Sequence, residues 1–146
     1  MKKYIKLGLL VIWLGVIYFF SSQNGAESGN LSNGLLAQIA MFFNIENISE
    51  FVNKYGPIIR KLAHLFEYFI LGILVYINIS TPSNKKPITL TIVLCCLYAL
   101  TDEFHQLFVS DRVFMFTDIL IDTSGSALGS VFVHLIDKLC FQEKKQ

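Results

Sequence analysis

Thirteen residues, "LTDEFHQLFVSDR" at positions 100–112, carry Asp102, Glu103, His105, Gln106, Asp111 and Arg112 directly after a long apolar run. Carboxylates exchange protons or ligate cations, an imidazole titrates near neutrality, and a guanidinium grips phosphate or carboxylate with paired donors. Two other apolar stretches contain similar groups. "KLAHLFEYFILG" at 61–72 holds Lys61, His64, Glu67 and Tyr68, and "DILIDTSGSALG" at 118–129 holds Asp118 and Asp122.

The elements that must position these groups are membrane helices. Hydrophobic residues make up 53% of the 146 positions and charged residues only 16%, against about a quarter charged in ordinary soluble domains. A helix crosses the hydrocarbon core with roughly 20 apolar residues. Four segments qualify: 5–20, 61–80, 88–106 and 117–139. The expected fold is all-α, an integral-membrane bundle of four transmembrane helices forming a single domain. A segment at 21–59 on the outer side separates the first two spans. Within it, 35–43 is apolar, and Ile48, Phe51, Val52 and Tyr55 repeat at helical spacing. Asn47 or Ser49 would cap that helix and Gly56-Pro57 would stop it. Pro82 and Pro87 bracket a turn between the second and third spans.

The basic residues predict orientation. An N-terminus in the cytoplasm puts Lys2, Lys3, Lys6, Lys85, Lys86, Lys138, Lys144 and Lys145 inside, and only Lys54, Arg60, Lys61 and Arg112 outside. Both termini are therefore expected in the cytoplasm of a bacterial cell, with the chain multi-pass in its cytoplasmic membrane. The first span is expected to remain uncleaved, because bulky Phe19, Phe20 and Gln23 occupy the cleavage region and no A-x-A site follows. No basic stripe suggests nucleic acid. Cys95 and Cys96 are adjacent and Cys140 stands alone, so they read as small apolar side chains and not as a redox or metal framework.

Depth and facing bring the polar groups together. His64 and Glu67 lie in the outer turns of the second helix, Asp102, Glu103, His105 and Gln106 end the third, and Asp118 and Asp122 open the fourth. On the fourth, Asp118, Asp122, Gly125 and Gly129 share one face, and the glycines make it a packed face. On the second, Lys61, His64 and Tyr68 share an arc with Glu67 at its edge. Glu103 and His105 point apart in a regular helix, so the helix either unwinds or serves two partners. An ionised group at membrane depth costs about 2.5–3.5 kcal/mol on insertion scales and by default marks a functional site. The structural alternative is a salt-bridge network in which Lys61, His64 and Arg112 neutralise Glu67, Asp102 and Asp122.

At these residues the chain resembles the VanZ-like family of small bacterial membrane proteins. The resemblance rests on "SSQ" at 21–23, on "KLAHLFEYFILG", on "YALTDEFHQLFVSDR" at 98–112 and on "DILIDTSGSALG". It covers nearly the whole chain and marks Ser22, Gln23, Lys61, His64, Glu67, Tyr68, Asp102, Glu103, His105, Gln106, Arg112, Asp118, Asp122 and Gly125. The family usually has Pro-Gly before the arginine, where this chain has Ser110-Asp111. The resemblance implies a link to low-level resistance to teicoplanin, a lipid-tailed glycopeptide that targets cell-wall precursors at the outer membrane face.

Two functions fit the residues, and a third fits them less well. An enzyme acting on a lipid-linked envelope molecule would use His64, Glu67, Asp102, Glu103, His105, Asp118 and Asp122 for acid–base work. Ser22, Gln23, Lys61, Tyr68, Gln106 and Arg112 would bind the substrate. A divalent metal suits the Asp, Glu and His donors, although His64-x-x-Glu67 is a weak ligand signal alone. A non-catalytic binder would hold a lipid headgroup, precursor or lipoglycopeptide in the same place. A transporter would need polar residues along its whole path, and "LCCLY" at 94–98 supplies none. Membrane lipids are partners in every case.

Overall fold

In the computed structural model, residues 3–81 and 87–143 are described. Pro82, Lys2, Lys85, Lys86, Lys144 and Lys145, which entered the turn and orientation arguments, lie outside them, as does the side chain of Cys140. Every described element is helical: α1 (Lys3–Ser21), α2 (Gly25–Phe42), α3 (Ile48–Ile79), α4 (Pro87–Gln106) and α5 (Phe116–Glu143). Four of them, α1, α3, α4 and α5, are long and apolar enough to cross a membrane. The all-α, four-span expectation matches this architecture.

α3 is the axis of the bundle and packs against all four other helices, most extensively against α5. Backbone contact explains that preference. A Cβ on Gly125 would collide with the Leu65 carbonyl, one on Gly129 with the Phe69 carbonyl, and one on Gly72 with the Ser126 backbone. Small residues in this register let two helices touch without side chains between them. Tyr68, Leu71, Cys95, Ala99, Ile17 and Ile119 fill the core beside this seam. Hydrogen bonds fasten α1 along its length: Trp13 Nε1 donates to the Glu67 carbonyl at 3.0 Å, Tyr98 Oη to the Leu14 carbonyl at 3.1 Å, and Lys6 Nζ to the Ile77 carbonyl at 3.1 Å.

The segment between the first two spans departs from expectation. Residues 25–42 form one helix, longer than the apolar stretch 35–43 alone suggested. It begins with a capping box, in which Asn24 Oδ1 accepts from the Glu27 amide at 2.8 Å and Glu27 Oε2 accepts from the Asn24 amide at 3.2 Å. It ends at Phe42 with Phe43 as C-cap, and the φ of 52° at Asn44 lets the Ile45 amide reach back to the Ala40 carbonyl at 2.9 Å.

Gly56-Pro57 does not stop the next helix. Asn47 caps it, as expected, and α3 then runs 32 residues straight through the pair. At 1.5 Å per residue this is about 48 Å, well beyond a hydrocarbon core of roughly 30 Å. The extra length packs against α2, with Gly56 buried against Asn33. That packing outweighs the single hydrogen bond that proline removes.

Candidate functional site

The end of α1, the start of α2, the middle of α3 and the connection between α4 and α5 meet at one end of the bundle. They enclose a cavity of about 210 Å³. α3 contributes Arg60, Ala63, His64 and Glu67, α1 contributes Ser21, α2 contributes Ser28, Leu31 and Ser32, and Gln23 and Arg112 close the sides. Of the residues singled out from sequence, Gln23, His64, Glu67 and Arg112 therefore line one space.

Arg112 is placed by its own loop. The Gly25 amide donates to the Ser110 carbonyl at 3.2 Å, and Arg112 Nε donates to the Gln23 carbonyl at 3.2 Å. Asp111 takes φ = 59°. Glycine enters that left-handed region freely, and Asp and Asn are among the few other residues that visit it. The Ser110-Asp111 turn thus keeps a glycine-like backbone. Burial holds the Arg112 guanidinium below its ordinary range and Arg60 pushes the same way, while Asp102, Glu103 and Asp118 oppose them. Arginine remains a cation in proteins, so two positive charges face the cavity.

Behind His64 stands Asp122. Its Oδ1 lies 3.4 Å from His64 Nδ1, the one ion pair among the described residues, and the carboxylate is fully buried. The approach is electrostatic: His64 Nδ1 and Asp122 Oδ1 are both buried without a hydrogen-bond partner among the described residues, and His64 also lines the cavity. The Tyr68 hydroxyl and Asp122 Oδ2 join them among the buried polar atoms without a hydrogen-bond partner, as do Ser21 Oγ, Glu103 Oε1, Gln106 Nε2 and Thr123 Oγ1. Such groups are costly to desolvate and few in native proteins.

The remaining candidates serve other places. Asp102 is buried against Ser21 and Gln106. Glu103 Oε2 accepts from the Met115 amide at 2.8 Å, tying α4 to the approach of α5. Asp118 accepts from the Thr117 hydroxyl at 3.2 Å in the first turn of α5. α4 stays helical to Gln106, so Glu103 and His105 point apart and serve two partners. His105 stacks on Tyr18, ring centroids 4.9 Å apart, and its Nε2 lies 3.2 Å from Ser22 Oγ. Ser22 already donates its one proton to the Tyr18 carbonyl at 2.7 Å. His105 is then the donor to Ser22, the reverse of what an activated serine requires.

Two expectations are corrected. Lys61, His64 and Tyr68 share an arc of the continuous α3, but Lys61 is exposed, Tyr68 is fully buried, and neither lines the cavity. The cavity face is Arg60, His64 and Glu67, at i, i+4 and i+7. That spacing was readable, and Arg60 was missed because only its sign was used. The salt-bridge network is likewise reduced to His64 with Asp122; neither Arg112 nor Lys61 pairs with a carboxylate among the described residues. Among those residues no three His, Cys, Asp or Glu side chains group as metal ligands.

A family described as VanZ/LLP1 matches residues 6–137. No curated protein and no solved structure matches the chain.

Proposed function

This chain is a member of the VanZ/LLP1 family, and from that premise we propose that its cavity takes the anionic headgroup of a lipid-linked component of the bacterial envelope. The lysine bias puts the termini in the cytoplasm and opens the cavity at the outer leaflet of the cytoplasmic membrane. The observation that carries this reading is the pair Arg60 and Arg112, which come from separate segments to one small space with no carboxylate in ion-pair range among the described residues. Planar guanidinium forks suit phosphate oxygens, and Ser28, Ser32 and Gln23 add neutral polar groups around them.

Size and surroundings support a headgroup and not a whole ligand. The cavity's 210 Å³ falls below the roughly 300–1,000 Å³ of sites that engulf a drug-sized molecule. A neighbouring recess lined by Phe19, Ser22, Gln23, Glu27 and Leu31 shares Gln23 and Leu31 with it, and its Phe19 and Leu31 side gives an acyl or prenyl chain a route into lipid. Occupying such a molecule would change what a lipid-tailed glycopeptide such as teicoplanin meets at the outer face. To test this, Arg60→Gln and Arg112→Gln are expressed at matched membrane abundance, scoring teicoplanin susceptibility and binding of a polyprenyl phosphate to the purified protein. Each substitution is expected to weaken both. Unchanged lipid binding in both variants would sink the reading.

A second reading is favoured by His64 and Asp122. A buried carboxylate beside one imidazole nitrogen, with Glu67 in the same cavity, is an arrangement suited to proton transfer on the bound headgroup. It predicts a chemically altered lipid in cells expressing the protein and none with Asp122→Asn. An unaltered envelope lipid profile would leave binding alone.

A further inference from the structure

A second polar crevice adjoins the cavity between α2 and the projecting half of α3. It holds about 270 Å³ and shares Ser32 and Arg60 with the cavity. Its chemistry differs from its neighbour's. Asn33 and Asn53 both line it, both are exposed, and neither side-chain amide makes a hydrogen bond among the described residues. Each amide offers two donors and one acceptor. Pro57 has no N–H to give the Asn53 carbonyl, so the helix lacks one regular bond beside this crevice. Val52 and Pro57 supply an apolar side to the same crevice. No carboxylate lines it, and its one cation is Arg60 at the junction.

We propose that this crevice is a subsite for a neutral, hydroxyl-rich group, a sugar, joined to the phosphate held between Arg60 and Arg112. The proposal rests on the phosphate reading of the first cavity and extends it to a glycosyl phosphate lipid. Phosphate oxygens only accept hydrogen bonds, so a phosphate subsite needs donors alone. Sugar hydroxyls both donate and accept, and one face of the ring presents C–H groups. Paired amides and an apolar strip answer those features. Arg60, common to both spaces, marks where the phosphodiester link would lie.

The test uses the full chain in detergent micelles, titrated by native mass spectrometry with a polyprenyl phosphate and with the same lipid carrying one hexose on its phosphate. The parent protein is expected to prefer the hexose lipid by about tenfold, the effect of one or two neutral hydrogen bonds. The double variant Asn33→Ala, Asn53→Ala is expected to remove that preference without weakening the plain phosphate. Gly29→Leu provides a control on folding. A Cβ at Gly29 meets nothing within 4 Å, leucine favours the helix over glycine, and the side chain would fill the crevice that Gly29 lines. It should abolish the preference in a protein at least as stable.

Equal binding of the two lipids by the parent, with Arg112→Gln still weakening both, overturns the sugar subsite and leaves the phosphate site standing. A preference that survives both the double variant and Gly29→Leu overturns it too. Failure of the parent to bind either lipid overturns the phosphate reading and this inference together.

Discussion

His64 Nδ1 and Asp122 Oδ1 meet at 3.4 Å across the seam between α3 and α5, one turn from the point where Gly125 lies against the Leu65 carbonyl. The ion pair and the closest backbone approach therefore belong to one interface. α5 can bring a carboxylate to the imidazole because its glycines remove the side chains that would hold it away. Truncating one partner of a buried pair typically costs about 3–5 kcal/mol, because the other charge is left alone. The His64 side chain is 13% exposed, which places this pair toward the lower end.

Asp122→Asn and His64→Gln are each expected to lower thermal stability in detergent, and the double variant to lose less than their sum. A coupling within the usual range of about 0.5–3 kcal/mol would confirm that the two groups act together. Purely additive losses would remove the pair from both the fold and the proposed chemistry.

The seam itself sets a second expectation. Gly125→Ala and Gly129→Ala place a methyl group against backbone carbonyls of α3, which cannot rotate away as a side chain would. Overpacking costs about 1–3 kcal/mol even where side chains can adjust. Both variants should show reduced membrane abundance and a lower melting temperature, and should lose lipid binding in proportion. Gly15→Ala serves as the reference, since a Cβ there meets nothing within 4 Å. Equal stability of Gly125→Ala and Gly15→Ala would contradict the close approach.

Carboxylates close in space have separable roles, which mutation can sort. Glu103 accepts from the Met115 amide and is fully buried, whereas Glu67 lines the cavity and makes no side-chain hydrogen bond among the described residues. A hydrogen bond to a charged group contributes about 1.5–3 kcal/mol. Glu103→Ala should therefore destabilise by about that much, with Glu103→Gln recovering part because its amide oxygen still accepts. Glu67→Gln should leave the melting temperature nearly unchanged and alter pH dependence of lipid binding instead. A stability loss for Glu67→Gln equal to that of Glu103→Ala would reassign Glu67 to the structural set.

Much of this arrangement was readable in the sequence, and the exceptions have physical causes. Charge inside an apolar span is expensive, so His64, Asp102 and Asp122 announced themselves, and Gly125 and Gly129 marked the packed face. Asn24-x-x-Glu27 is a capping signal, and with it the start of α2 could have been placed. Gly56-Pro57 misled because local propensity favours a stop there, while the packing of Gly56 against Asn33 depends on a second helix. Arg60 was overlooked for a similar reason. Its helical register with His64 and Glu67 is local, but the cavity it faces exists only once α2 and the Arg112 loop are in place.

The single tryptophan of the chain offers a direct view of the site. Trp13 Nε1 donates to the carbonyl of Glu67 at 3.0 Å, and Glu67 is part of the cavity wall. A headgroup drawn between Arg60 and Arg112 changes the field and hydration around that residue, and the indole is hydrogen-bonded to its backbone. Titrating the protein with a polyprenyl phosphate should therefore shift Trp13 emission saturably, and Arg112→Gln should move the midpoint to higher lipid concentration. A shift of identical midpoint in the parent and in Arg112→Gln would mean that the indole senses lipid at the exposed face of α1. The cavity would then have no part in the signal.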